Sequence, residues 1–215
     1  MNLFQTSRIR YGEQTLEDIE LLKSRYTTNF KRNDWNDALH AFYSNKEVFD
    51  HNMRMLNDMR GDLFSFEAEL PKGKKRGQSN DGTIDNTTFQ QQLHLKKGAL
   101  VMHISNTSII DGLVNGVTGQ VLNFVKNGKQ EIWAIIVQFD DPEIGCERRK
   151  EHINLHSDIR NKNGVPIFRV KNSYKMEKKG SSRKAGKDLW LRQFPLTLAF
   201  GSTGIITRVL FISIK

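Results

Sequence analysis

Apolar residues near the start of the chain recur at helical spacing: Leu16, Ile19, Leu22 and Tyr26 fall on one face of a 3.6-residue repeat. Thr15 ahead of Asp18 forms a variant of the capping box, so a helix is expected over about 15–26. The pattern then changes. ALHAFY (38–43) reads as a short buried strand, Ser44 or Asn45 can cap the next element, and Val48, Phe49, Asn52, Met53, Leu56 and Met59 line a helix ending before Gly61. LFSFEAE (63–69) alternates as a strand does, which makes residues 1–70 part of an α/β domain.

Periodicity disappears from Pro71 to about Gln92, where Lys, Gly, Asn, Asp, Thr and Gln dominate and Gly73, Gly77 and Gly82 interrupt the chain. A linker or flexible loop is expected over 71–92. Short β-type runs come next at ALVMHI (99–104), VTGQVLNFV (117–125) and IWAIIVQF (132–139), with turn signals at Asn115-Gly116 and Asn127-Gly128. Strands packed that closely predict a small barrel, with Gly116 and Gly119 serving the turns between its strands. A further strand is expected at PIFRV (166–170), and two apolar runs, FPLTLAF (194–200) and RVLFISI (208–214), end the sequence.

Composition adds boundaries to this picture. Hydrophobic residues make up 37% and charged residues 27% of 215 positions, with no apolar run near the roughly 20 residues of a membrane span. No membrane partner is expected. The first residues lack a secretory h-region, and one cysteine, Cys146, allows no internal disulfide, so an intracellular protein is expected. The net charge of +9 is concentrated: residues 160–192 hold 11 Lys or Arg against Glu177 and Asp188. A polyanion partner and a solvated loop both fit such a run.

Catalytic motifs fail residue by residue. A phosphate loop needs G-x-x-x-x-G-K-[ST] so that backbone N–H groups wrap the phosphates while Lys and a hydroxyl reach phosphate and magnesium. The nearest approach, Gly180 to Asp188, has Gly186-Lys187 but Ser181 in place of the first glycine and Asp188 in place of the hydroxyl. IIVQFDD (135–141) imitates a magnesium-holding strand, yet Asp140-Asp141-Pro142-Glu143 reads as a turn. His152 and His156 have zinc-ligand spacing on a helix, but the residues between them supply no carboxylate base.

Four stretches, in order, resemble the rear half of the PIF-type (petite-integration-frequency) DNA helicases: IRYGEQTLEDIELLKSR (9–25), ALHAFYSNKEVFDHN (38–52), LHLKKGALVMHISNTSIIDGLVNGVTGQVLNFV (93–125) and LRQFPLTLAF (191–200). DGLVNGVTGQV (111–121) is the most specific of the matching motifs. The resemblance implies an α/β fold: a partial RecA-like motor domain (1–70), a linker (71–92), an inserted small SH3-like β-barrel with its basic segment (93–190), and return strands (191–215). It implies DNA, single-stranded, as partner. Ser44, Asn45 and Lys46 would meet phosphate, and Lys171, Lys175, Lys178, Lys179, Arg183, Lys184 and Lys187 would track the backbone. Phe168, Tyr174 or Trp190 would be available for stacking. For Ser44 or Asn45 a helix-capping role stands beside the phosphate role.

The resemblance also implies what is missing. Full-length members use ATP and magnesium in DNA replication, repair, recombination or telomere maintenance, in the nucleus or mitochondrion. This chain carries neither their phosphate loop nor the magnesium carboxylates nor the phosphate-sensing arginine, and no cofactor is expected on it. Beyond Phe200 the expected His-Lys-Ser/Val-Gln-Gly element is replaced by GSTGIITRVLFISIK. Two readings result: a truncated helicase part that needs a separate N-terminal motor domain, or a non-catalytic nucleic-acid-binding or adaptor protein derived from a helicase gene. Half a RecA-like sheet would leave strand edges and apolar faces without partners, so low stability is expected.

Overall fold

A computed structural model describes residues 8, 11–24, 40–71, 83–84, 87–175 and 188–203. The chain divides into two compact units, Met1–Ala38 and Leu39–Lys215. In the first, helix α1 (Leu16–Ser24) begins with the capping box that Thr15 and Asp18 announced: the Asp18 N–H donates to Thr15 Oγ1 at 3.3 Å and the Thr15 N–H to Asp18 Oδ2 at 3.0 Å. The Arg8 guanidinium donates twice to the same carboxylate, at 2.8 and 2.7 Å. Together these hydrogen bonds hold the buried Asp18 carboxyl well below its ordinary range.

The second unit is mixed α/β. Strand β1 (His40–Phe42) leads into helix α2 (Asn45–Asp58), followed by β2 (Phe64–Glu67), β3 (Gln92–Leu95), β4 (Leu100–His103), β5 (Thr118–Lys126) and β6 (Ile132–Phe139). Two short helices, α3 (Cys146–Glu151) and α4 (Ser157–Asn161), precede β7 (Val165–Phe168), β8 (Val170–Lys175), β9 (Asp188–Gln193), β10 (Leu196–Leu198) and β11 (Gly201–Thr203). PIFRV thus spans two strands separated by Arg169 rather than one.

Five strands form one sheet in the order β10-β4-β5-β6-β7, and three two-stranded ribbons accompany it: β1-β11, β2-β3 and β8-β9. Among the described residues the sheet is open, with β10 and β7 at its edges, where the sequence predicted a closed barrel. Its chief core joins Leu56 of α2 to Phe66, Leu93, Leu95, Val121, Ile135, Val137 and Phe194. A bulge between Val121 and Asn123 buries two successive side chains of β5 in different places. Val121 enters that chief core, while Leu122 packs with Ile136 and Ile159.

Two expectations change once the packing is seen. Within the stretch read as a linker, Ile84 and Phe89 are 0% and 1% exposed and pack with Ala68 and Leu191. Each such burial contributes roughly 1.5–3 kcal/mol, so this part of 71–92 belongs to the folded unit. Gly119 lies within β5, not in a turn: a Cβ there would sit against the Gln138 carbonyl oxygen and 2.8 Å from Phe139 Cα. Gly116, at φ +101°, does supply a left-handed turn position.

Candidate nucleic-acid interface

Helix α2 positions the residues singled out in the sequence. Ser44, at φ −122° and ψ 152°, is its N-cap; its Oγ accepts from the Glu47 N–H at 3.3 Å. In return the Ser44 N–H and hydroxyl donate to Glu47 Oε2 at 3.0 and 2.8 Å. A carboxylate therefore stands over the helix N-terminus, where a phosphate would have to approach. Lys46 pairs with Asp50 at 2.5 Å across one exposed turn. Asn45 has a different setting: it lines a cavity of about 470 Å³.

That cavity is lined from several elements. Asn45, Val48, Phe49, Asn52 and Met53 come from α2, Gly201, Ser202 and Thr203 from β11, and Thr83, Thr87, Thr88, Gln90, Met102, Ile104, Asn115 and Gly116 from residues 83–116. Thr197 and Leu198 of β10 also line it. None of these side chains is charged. Hydroxyls and amides beside Met and Phe can recognise a sugar, a base edge or a phosphate oxygen by neutral hydrogen bonds and apolar contact. The threonine lip gave no signal in the sequence, because Thr83, Thr87 and Thr88 lie in a stretch without periodicity.

The Asn52 amide is engaged by backbone groups. Its Oδ1 accepts from the Gly201 N–H at 2.8 Å and its Nδ2 donates to the Leu198 and Gly201 carbonyls at 3.1 and 3.4 Å. Beside it, His51 lies within 4.6 Å of the His40 ring and 4.8 Å of the Phe42 ring, centroid to centroid. Burial, reinforced by His40 and Arg54, holds His51 below its ordinary pKa.

The loop from β4 to β5 carries DGLVNG, and its acid has a structural task. Asp111 Oδ1 and Oδ2 accept from the Glu147 and Arg148 N–H groups at 2.9 and 3.1 Å, capping α3, whose own N-cap position is Gly145. At the base of the loop His103 is fully buried, with its Nε2 3.3 Å from Thr107 Oγ1. Burial first, then Arg148, pushes the His103 pKa down to about 4.

The basic candidates are only partly within the described residues. Lys171 Nζ lies 5.1 Å from the centre of the Trp190 ring. Lys175 ends β8 opposite Asp188 of β9. Lys178, Lys179, Arg183, Lys184 and Lys187 lie outside the described residues, as do the side chains of Tyr174 and Lys175. The carboxylates that follow β6 do not fit a nucleotide-bound magnesium: Asp140 accepts from the Thr118 hydroxyl, and Asp141 Oδ1 closes a turn with the Glu143 N–H at 2.9 Å. His152 and His156 cap α3 and α4 separately instead of sharing one helical face.

Residues 83–124, which build β3, β4, most of β5 and part of the cavity lining, match the family model for the 2B domain of DNA helicase Pif1. The ATP-dependent DNA helicase PIF1 of Emericella nidulans is 34% identical over 95 residues, 43% of this chain. The chain is similar to one part of the Pif1 helicases. The fold agrees: Pif1 from Bacteroides bound to single-stranded DNA superposes with a TM-score of 0.57 at 19% identity over 95% of this chain. Pif1 from Candida albicans does so with a TM-score of 0.57 at 18% identity. The matched region is 12% of the Emericella protein, and the chain covers 39% and 44% of the Bacteroides and Candida chains. The cavity thus lies where the segment matching the Pif1 2B domain meets α2 and β11.

Proposed function

We propose that this chain is a DNA-binding portion of a Pif1-type helicase and that single-stranded DNA crosses the neutral cavity between α2, β11 and the 2B-like segment. The carrying observation is a cavity lined by uncharged polar and apolar side chains of α2, β10 and β11 together with residues of the 83–124 segment. Asn45 contributes its amide at the rim, and the lysines of 171–187 add the nonspecific attraction to phosphate. In this reading the open sheet β4–β7 with its flanking ribbons corresponds to the SH3-like insert, and β1, α2 and β11 to a partial RecA-like element. These 215 residues carry no phosphate loop, so hydrolysis of ATP requires helicase regions other than those this chain resembles.

Fluorescence anisotropy with a labelled oligothymidylate of about 15 nucleotides tests the proposal. Binding at low salt is expected, with log affinity falling linearly against log salt concentration. Asn45→Ala should weaken it about fivefold, the loss of one net hydrogen bond. No ATP hydrolysis above background is expected, with or without DNA. Absence of binding at low salt would reject the reading in favour of a protein-contact adaptor.

A further inference from the structure

On the strand next to the sheet's β7 edge, away from the residues of the cavity, three rings meet. Trp133 of β6 lies 5.0 Å from Phe168 of β7, centroid to centroid, with the planes tilted by 39°. His152, at the end of α3, stands 5.0 Å from Phe168 as well, edge-on at 61°. Trp133 remains 40% exposed although the residues that come after it, Ala134 to Val137, are fully buried. The β5–β6 hairpin that presents it also carries exposed Lys126 and Lys129.

A buried tryptophan would be explained by packing alone. Here the β5–β6 register slips between Val125 and Lys126, at the level of Trp133, and Phe168 stands beside the part-exposed indole while His152 meets Phe168 edge-on. A part-exposed indole held beside another ring loses little rotamer freedom when a flat ligand lands on it. The two lysines on the same hairpin outnumber the exposed Glu131 and favour an anion. Flat and anionic together describe a nucleotide within a single strand, whose base stacks while its phosphates pass the hairpin.

From this arrangement we infer that Trp133, beside Phe168, which His152 meets edge-on, is a stacking site for one unpaired base, distinct from the cavity; the sequence offered Phe168 for stacking but Trp133 only as part of a strand. The inference rests on the reading that the chain binds single-stranded DNA. Its contribution is sequence-tolerant, because every base offers a π-face. It adds affinity without adding a phosphate contact, so it should leave the salt dependence unchanged.

The test compares the intact chain with Trp133→Ala, Trp133→Phe and His152→Ala, using the same oligothymidylate. Trp133→Ala should bind roughly 5- to 100-fold more weakly with an unaltered salt slope. Trp133→Phe should restore most of the affinity while abolishing part of the DNA-induced quenching of tryptophan emission. His152→Ala should weaken binding less than Trp133→Ala, with its thermal melt recorded as a folding control. Parental affinity in Trp133→Ala overturns the inference and leaves the rings a packing or protein-contact role. A changed salt slope, or DNA-induced quenching unaltered in Trp133→Phe, also overturns it. Failure of the unmodified chain to bind is a separate result and rejects the DNA-binding proposal itself.

Discussion

Asn52 and Gly201 bond to each other as if they were two residues of neighbouring strands, with the Asn52 amide accepting from the Gly201 N–H at 2.8 Å and donating to its carbonyl at 3.4 Å. The amide also reaches the Leu198 carbonyl at 3.1 Å. One side chain of α2 thereby ties down the turn between β10 and β11, which holds β11 parallel to β1 and shapes part of the cavity lining. Because the group is buried, its removal leaves a donor and two acceptors without partners. Asn52→Ala should lower unfolding stability by about 2–4 kcal/mol. Urea melts of the two proteins would measure this, and a difference below about 1 kcal/mol would refute the clamp.

Two glycines are held by close approach. At Gly201 a Cβ would meet the Phe42 and His51 rings at 2.7 and 3.0 Å, with the nearest backbone atom, the His40 carbonyl oxygen, at 3.2 Å. At Gly119 it would meet backbone atoms of β6, which cannot move without breaking the β5–β6 ladder. Gly119→Ala should therefore cost about 3 kcal/mol and Gly201→Ala about 1–2 kcal/mol. The order of the two melting temperatures checks this difference.

Asp111 should behave as a cap supplied from a distance. Asp111→Ala leaves the first turn of α3 without its acceptor and should destabilise the second unit by about 2–3 kcal/mol, with Asp111→Asn retaining part of that. Hydrogen exchange would place the loss at the N–H groups of Glu147 and Arg148, which donate to Asp111 in the native protein.

Acid should unfold the protein partly through His103. Its folded pKa of about 4 lies below the ordinary 6.5, so between these values the unfolded chain takes up a proton that the native state refuses. The associated stability is fully present above pH 6.5 and is lost as pH falls toward 4, amounting to about 3 kcal/mol. His103→Gln should flatten the dependence of stability on pH across that window, which urea melts at several pH values would reveal.

Local signals in the sequence were translated directly into structure. Thr15 with Asp18, and Ser44 with Glu47, are reciprocal hydrogen-bond pairs three residues apart, and both form at the helix starts. IWAIIVQF is β6 with the same ends, and Asp140-Asp141-Pro142 is the turn its composition suggested. Such features depend on residues a few positions apart, whose geometry is set by backbone hydrogen bonding alone.

What the sequence by itself determined was therefore the local elements, the order of the Pif1-like motifs and the lack of a phosphate-loop pattern. Only the tertiary structure decided which residues those elements bring together. It tied the Asn52 amide to the Gly201 backbone, and gave Asp111 to a helix that begins far along the chain from it. It buried Ile84 and Phe89 from an aperiodic stretch, and placed Trp133 and His152 each 5.0 Å from Phe168. The physical reason is the same in each case: these contacts join positions far apart along the chain, and their energy exists only once the intervening segments have folded and removed water from between them.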